Sequence, residues 1–172
     1  MPLSFGGQTA MLLIQMIDFV TRALTMVSAA IIGVLAFLVS FDAITRALRV
    51  PTIWVFDVSL YLLIAVGFLG SAYALRSGSH FRMVIFVDMM GPHGRRWMDR
   101  IAYFATFTFA VMMTWLTAGY VLDNYNAGFT SGTILDAPLW IPQSVMPVGA
   151  LVLALEALSS LIRDDYPDVI EG

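Results

Sequence analysis

The chain has few residues that could do chemistry, and their positions do not favour catalysis. It contains two histidines, His80 and His93, and no cysteine. Both histidines fall between apolar segments, whereas membrane haem needs facing histidines inside helices, and thiolate metal sites need cysteine. The carboxylates stand at the ends of apolar segments, without a nucleophile and base at catalytic spacing. The sequence therefore predicts no enzyme and no catalytic, cofactor-binding or metal-binding residues in this chain.

The composition indicates that lipid is the solvent of this chain. Of its 172 residues, 59% are hydrophobic and 12% are charged, and the mean hydropathy is +0.83. Soluble domains carry about 25% charged residues, so this chain could not cover its surface in water. A net charge of −3 without a basic run argues against nucleic-acid binding. The length suffices for four or five membrane helices and leaves no room for a soluble catalytic domain.

Four apolar runs are long enough to cross a bilayer. The uncharged parts cover roughly 27–33 Å at a rise of about 1.5 Å per residue, close to a hydrocarbon core of about 30 Å. The last run holds three prolines and is predicted to continue past Glu156, with Pro147 kinking it. Residues 1–172 are thus predicted as one all-α integral membrane domain, with spans at residues 23–41, 58–75, 101–122 and 138–162.

Two shorter segments are predicted to lie at the membrane surface. Polar residues share one helical face near the N-terminus, which is typical of an interfacial helix leading into the first span. These residues are Gln8, Gln15, Asp18 and Arg22. The segment Met83–Met90 is apolar apart from Asp88 and too short to cross, so it is predicted as a cytoplasmic-side interfacial segment.

The arginines predict the orientation. The loop between the second and third spans contains five of them, and the loop between the third and fourth contains none. Because cytoplasmic loops are enriched in basic residues, both termini are predicted to be cytoplasmic. No small-residue cleavage site follows Arg22, so the first span is expected to be an uncleaved anchor.

The spans themselves offer packing surfaces rather than a transport pathway. The first three hold only hydroxyl groups near their centres, and such groups usually bond within their own helix, which disfavours an autonomous channel or carrier. These groups belong to Ser28, Ser71, Thr106, Thr108 and Thr114. Small residues form one stripe at Ala29, Gly33, Ala36 and Ser40, and another at Gly67, Ser71, Ala74 and Gly78, with Gly70 beside it. Each stripe suits either a contact within the chain or docking to a larger partner.

Charged residues near span ends are expected to be paired. Asp42 and Arg46 are four apart and can form an exposed ion pair. Asp57 follows Trp54 at the start of the second span, and a buried carboxylate there needs a partner, such as Arg46 or Arg49. Glu156, near the other membrane surface, is expected to need a partner for the same reason.

One pattern resembles a known family. From Arg46 the chain continues through Pro51, Trp54 and Asp57 to the stretch GFLGSAYALRSGSH between Gly67 and His80, followed by Val87 and Asp88. The fourth span adds PLWIP, ending at Pro142, and then Pro147-Val-Gly149. These features resemble the small permease subunit, DctQ type, of tripartite ATP-independent periplasmic (TRAP) transporters, over roughly residues 23–162. Asp57 departs from the pattern, since the family more often has Glu there.

The resemblance implies a scaffold subunit of a sodium-coupled importer of organic acids. Such a subunit would sit in the bacterial or archaeal inner membrane and brace a large membrane subunit, which would hold the sodium and substrate sites. It would also help a periplasmic substrate-binding protein to dock, with lipid around it. The residues expected at structural or subunit contacts are Arg46, Trp54, Asp57, Gly67, Gly70, Arg76, His80, Asp88, Pro142, Pro147 and Glu156. An accessory subunit of another membrane complex, such as a respiratory assembly, is the alternative.

Overall fold

The computed structural model describes residues 5–50, 52–76, 92–133 and 135–165. It contains three long helices, then a helix of four residues and a fifth that completes the bundle. These are α1 (Phe5–Ala47), α2 (Trp54–Arg76), α3 (Pro92–Ala127), α4 (Trp140–Gln143) and α5 (Val145–Asp165). Within the described ranges no strand forms, and the one isolated bridge joins Thr130 to Pro138.

Four helical segments are long and apolar enough to cross a membrane. They are Ile14–Ala47, Trp54–Leu75, Trp97–Ala127 and Trp140–Ile162. The first three contain the predicted spans, and the fourth begins two residues later than predicted. The prediction of an all-α integral membrane fold is confirmed.

The N-terminal polar stretch differs from the expectation, because it does not form a separate interfacial helix. Residues 5–47 form one continuous helix. From Gln8 to Ala47 the sequence has no proline and a single glycine, Gly33, so nothing interrupts the backbone hydrogen bonds. The predicted interfacial segment Met83–Met90 lies outside the described residues.

Helix α1 ends in a Schellman motif, the usual C-terminal cap. The N–H of Arg49 donates to the carbonyl of Arg46 at 3.0 Å, and the N–H of Val50 donates to the carbonyl of Thr45 at 2.9 Å. Arg49 adopts a φ of 62°, a position that normally holds glycine. Pro51 follows at once and prevents the helix from continuing.

The fourth span is broken where its prolines require it. Pro147 has no N–H to donate to the carbonyl of Gln143, and its ring would clash with that carbonyl. The break therefore falls at Ser144, whose N–H donates to the carbonyl of Trp140 at 3.0 Å. Pro147 thus lies in the first turn of α5, which tolerates a missing N–H.

The long helices pack in the order α1, α2, α5, α3, with α2 and α5 at the centre. Phe68 of α2 contacts Gly149, while Leu75, further along α2, clusters with Leu153 and Ala157. The helices α2 and α5 therefore run in the same direction, and α1 runs antiparallel to both. Small side chains make up much of this core, which lets the helix backbones approach closely. They are Ala65, Ala72, Ala110, Ala150, Ala154 and Ala157.

Candidate functional site

The end of α1 is held to the start of α2 by Asp42. This carboxylate accepts a hydrogen bond from the hydroxyl of Thr52 and pairs with Arg46, whose Nε lies 2.6 Å from Asp42 Oδ2. The predicted Asp42–Arg46 ion pair is therefore confirmed. The Arg46 side chain is 55% exposed, so the pair contributes little to stability by itself.

Asp57 is buried without the arginine partner that the sequence led us to expect. It is 8% exposed in the first turn of α2, while Arg46 is engaged by Asp42. Within the described residues, neither Arg46 nor Arg49 pairs with it. The positive end of the α2 helix dipole acts on a carboxylate at this position and favours it there. Trp54 remains 43% exposed three positions earlier.

Glu156 is one of the most deeply buried polar residues in the bundle. It is 1% exposed, and its Oε2 accepts a hydrogen bond of 2.9 Å from the hydroxyl of Thr21. This bond joins α1 to α5 across 135 positions of sequence. The sequence indicated that Glu156 needs a partner, but it gave no signal that identified Thr21.

Most hydroxyl groups in the spans bond within their own helix, as predicted. Ser71, Thr106, Thr108 and Thr114 each donate to a carbonyl three or four positions earlier. Ser28 and Ser159 differ, because both are buried and their Oγ atoms have no hydrogen-bond partner. Buried hydroxyls without partners are uncommon enough to require an explanation.

The small-residue stripe of α1 faces away from the rest of the chain. Ala29, Gly33, Ala36 and Ser40 are all exposed, and a Cβ built on Gly33 would meet nothing within 4 Å. The same empty space surrounds Gly67 and Gly70 of α2. Gly149 is the opposite case, because its Cβ would lie 2.6 Å from the backbone of Phe68. Close approach within the chain therefore depends on Gly149 and not on Gly33, Gly67 or Gly70.

The end of α3 is joined to the broken span by side chains that the sequence analysis missed. Asn124, 6% exposed, donates from its side-chain amide to Oε1 of Gln143. Tyr125 and Trp140 stack edge to face, with ring centroids 5.5 Å apart. Pro142 lies in α4, next to Gln143, and is half-buried. The missed signal was a pair of amide side chains, Asn124 and Gln143, on either side of one loop.

The predicted contact residues do not gather into one site. Arg46, Trp54 and Asp57 lie where α1 meets α2, and Pro142 and Pro147 lie around the break in the fourth span. Gly67 and Gly70 lie on α2, and Glu156 lies at the buried contact with α1. Arg76 is the last residue of α2, and its side chain lies outside the described part of the structure. His80 and Asp88 also lie outside the described residues.

Comparisons with known proteins agree with this architecture. A family model described as "Tripartite ATP-independent periplasmic transporters, DctQ component" matches residues 35–165. The chain is 30% identical over 111 residues to the ectoine TRAP transporter small permease protein TeaB of Halomonas elongata. The aligned region covers 63% of this chain and 55% of the relative. It is 24% identical over 106 residues to the C4-dicarboxylate TRAP transporter small permease protein DctQ of Rhodobacter capsulatus, covering 62% and 46% respectively. The chain thus spans about half the length of the curated relatives it matches.

Proposed function

This chain belongs to the DctQ-component family of TRAP transporters, and on that premise we propose that it is the scaffold subunit of a binding-protein-dependent importer. It is a multi-pass membrane protein of a transporter family and not an enzyme. In the proposal it braces a large membrane subunit. That large subunit binds and moves the solute.

The observation that carries this proposal is the exposed small-residue stripe of α1, with empty space around Gly33 at its middle. Glycine inside a helix costs about 0.5–1 kcal/mol relative to alanine. Gly33 and Gly67 gain nothing in return from this chain, because no atom comes within 4 Å of a Cβ at either position. A second helix packed closely on this surface would supply the missing gain.

Both flanks of the bundle expose large apolar side chains, and on α1 these include Met26 and Phe37. Large apolar side chains are exposed along α3, among them Phe104, Trp115 and Leu116. Bulky side chains cover a helix well against lipid but prevent another backbone from approaching closely. The small-residue stripe is therefore the part of α1 that suits a protein partner, and the bulky side chains of either flank suit lipid.

The test introduces a large side chain on each face and measures assembly. Gly33→Leu fills the open stripe, and Gly119→Leu is the matched control, since Gly119 lies on α3 with nothing within 4 Å of a Cβ. Each variant is tagged, expressed with the large subunit and purified in mild detergent. We expect Gly33→Leu to recover about tenfold less large subunit per small chain, in line with an overpacking cost of about 1–3 kcal/mol.

Gly119→Leu should assemble like the wild type. Equal recovery of the large subunit by both variants would refute the α1 docking surface. Recovery of a redox-active complex in place of a polytopic transporter subunit would refute the proposed function itself and favour the respiratory alternative.

We further propose that both termini face the cytoplasm and that the loop joining α3 to α4 faces the periplasm. The absence of arginine from residues 123–136 supports this orientation. In the described residues of this loop, the N–H of Ser131 donates to the carbonyl of Ala137 at 2.9 Å, which folds the loop back on itself. Such a compact loop suits contact with the substrate-binding protein. Reporter fusions at the C-terminus, active only in the cytoplasm, test the orientation.

Organic acids as solute and sodium as the coupling ion are part of the same proposal. The relatives' names specify ectoine and C4-dicarboxylates, and both are small solutes that carry carboxylate. Solute uptake by the reconstituted complex should require the binding protein and a sodium gradient. Uptake that persists without either would contradict this part of the proposal.

A further inference from the structure

The turn between α1 and α2 has an arginine where the backbone favours glycine. Arg49 has a φ of 62°, in the left-handed region that glycine adopts freely and that residues with a Cβ disfavour. Strained residues of this kind cluster at functional sites, where a particular side chain is needed. The Arg49 side chain is therefore expected to supply a gain that glycine at this position would lack.

That gain does not come from an ion pair within the described part of the chain. Four carboxylates belong to this end of the bundle, and all four are described: Asp42, Asp57, Asp123 and Asp136. Asp42 is engaged by a different arginine, and among the described residues none of the four pairs with Arg49. The Arg49 residue is exposed, so its guanidinium is accessible to an anion from outside the chain.

The side chains around Arg49 are large, apolar and exposed. Leu48 and Val50 flank it, and Ile53 and Phe56 follow at the start of α2; all four are 60–71% exposed. Bulky side chains of this kind keep another helix at a distance and pack well against acyl chains. The ligand that fits this surface therefore combines an anionic group with apolar chains.

The turn also lies at the level of lipid headgroups. The apolar spans on either side of it end at Ala47 and begin at Trp54. Trp54 is 43% exposed, and tryptophan is enriched at the boundary between hydrocarbon and water. An arginine at such a level lays its aliphatic stem along apolar surface and extends its guanidinium toward the phosphates.

We propose that Arg49 binds the phosphate of an anionic membrane phospholipid, with the acyl chains lying against Leu48, Val50 and Phe56. The guanidinium donates to the phosphate oxygens, which its planar fork of N–H groups matches. Phosphatidylglycerol binds more tightly than phosphatidylcholine, because the choline group of the latter balances its phosphate. The site requires no large subunit and neither terminus on a particular side, so it is independent of the proposed function.

Thermal unfolding of the full chain in detergent micelles, titrated with phosphatidylglycerol or with phosphatidylcholine, tests the proposal. The chain has four tryptophans and no cysteine, so intrinsic fluorescence is the suitable signal. Arg49→Gly removes the guanidinium and the backbone strain together. Without phospholipid this variant should unfold at a higher temperature than the wild type. It should then need about tenfold more phosphatidylglycerol for the same rise in Tm, because a charge-assisted contact is lost.

Two further variants separate the Arg49 guanidinium from general effects. Arg49→Asn also tolerates the positive φ and should respond to phosphatidylglycerol as weakly as Arg49→Gly. Arg46→Gln removes a guanidinium that Asp42 already engages, so it should respond like the wild type.

Three results would overturn the proposal. One is an equal response to phosphatidylglycerol in the wild type and Arg49→Gly. Another is an equal rise in the wild-type Tm with inorganic phosphate, which would assign the site to a soluble anion. The third is an unchanged lipid response in Arg49→Gly together with a lower recovery of the large subunit, which would assign the guanidinium to a protein partner.

Discussion

Replacing Gly149 by alanine should separate the two central helices. The added Cβ would lie 2.6 Å from the backbone carbon and oxygen of Phe68, while ordinary contacts begin at 3.4 Å. The α2 and α5 backbones must therefore move apart by about 0.8 Å to restore an ordinary contact. The obstacle is backbone, so no side-chain rotation can relieve it.

This displacement acts on a closely packed core of small residues. Ala150 and Ala154 are buried on the same helix, and separating the backbones weakens their contacts together. Overpacking of this kind costs about 1–3 kcal/mol. For a chain of this size each kcal/mol lowers Tm by roughly 2–4 °C. We expect Gly149→Ala to unfold about 2–12 °C below the wild type.

Tryptophan fluorescence of the purified chain during heating is the assay, and Gly67→Ala is the control. Gly67 lies on the neighbouring helix with nothing within 4 Å, so alanine there adds no clash and removes the helical cost of glycine. Its Tm should stay equal or rise slightly. If Gly149→Ala unfolds at or above the wild-type temperature, the close packing of α2 on α5 is wrong.

Three further substitutions test other contacts by the same unfolding measurement. Thr21→Val removes the donor to Glu156 and should lower the free energy of unfolding by about 1–3 kcal/mol, whereas Thr21→Ser should retain most of it. An equal loss of stability in both variants would argue against the hydrogen bond. Arg49→Gly should raise stability by about 1 kcal/mol, because glycine accepts the positive φ at the end of α1 without strain; a lower Tm would contradict the cap. Arg46→Gln should cost less than about 1 kcal/mol, since its pair with Asp42 is exposed; a larger loss would mean that the pair is shielded from solvent.

The sequence predicted the spans well because their signal is local. An uncharged run of about 20 residues must cross the bilayer, and a helix is the only open chain that can do so. The ion pair of Asp42 and Arg46 was predictable for the same reason, since four positions on one helix decide it. The interruption at Ser144 was also predictable in part, since the sequence already indicated that Pro147 disturbs the helix of this span.

Contacts between helices could not be predicted in this way. Thr21 and Glu156 are 135 positions apart, and nothing in either neighbourhood specifies the other. The sequence could not decide whether the small-residue stripes pack within the chain or against a partner. A glycine in contact with another backbone has the same sequence signature as a glycine that faces outward. Only the packing distinguished Gly149 from Gly33. Asp57 shows the converse, since one of the two arginines expected to pair with it, Arg46, is already engaged by Asp42.

The length of α1 has a mechanical consequence. Its 43 residues form a rod of roughly 65 Å at about 1.5 Å per residue, twice the thickness of the hydrocarbon core. With its Asp42 end tied to Thr52, a tilt of about 20° would swing the opposite end sideways by roughly 20 Å. The Thr21–Glu156 bond, more than halfway along the rod from that pivot, limits the swing. A displacement at this bond is nearly doubled at the N-terminal end of α1, so the buried contact with α5 adds to the packing on α2 in setting the tilt of the helix.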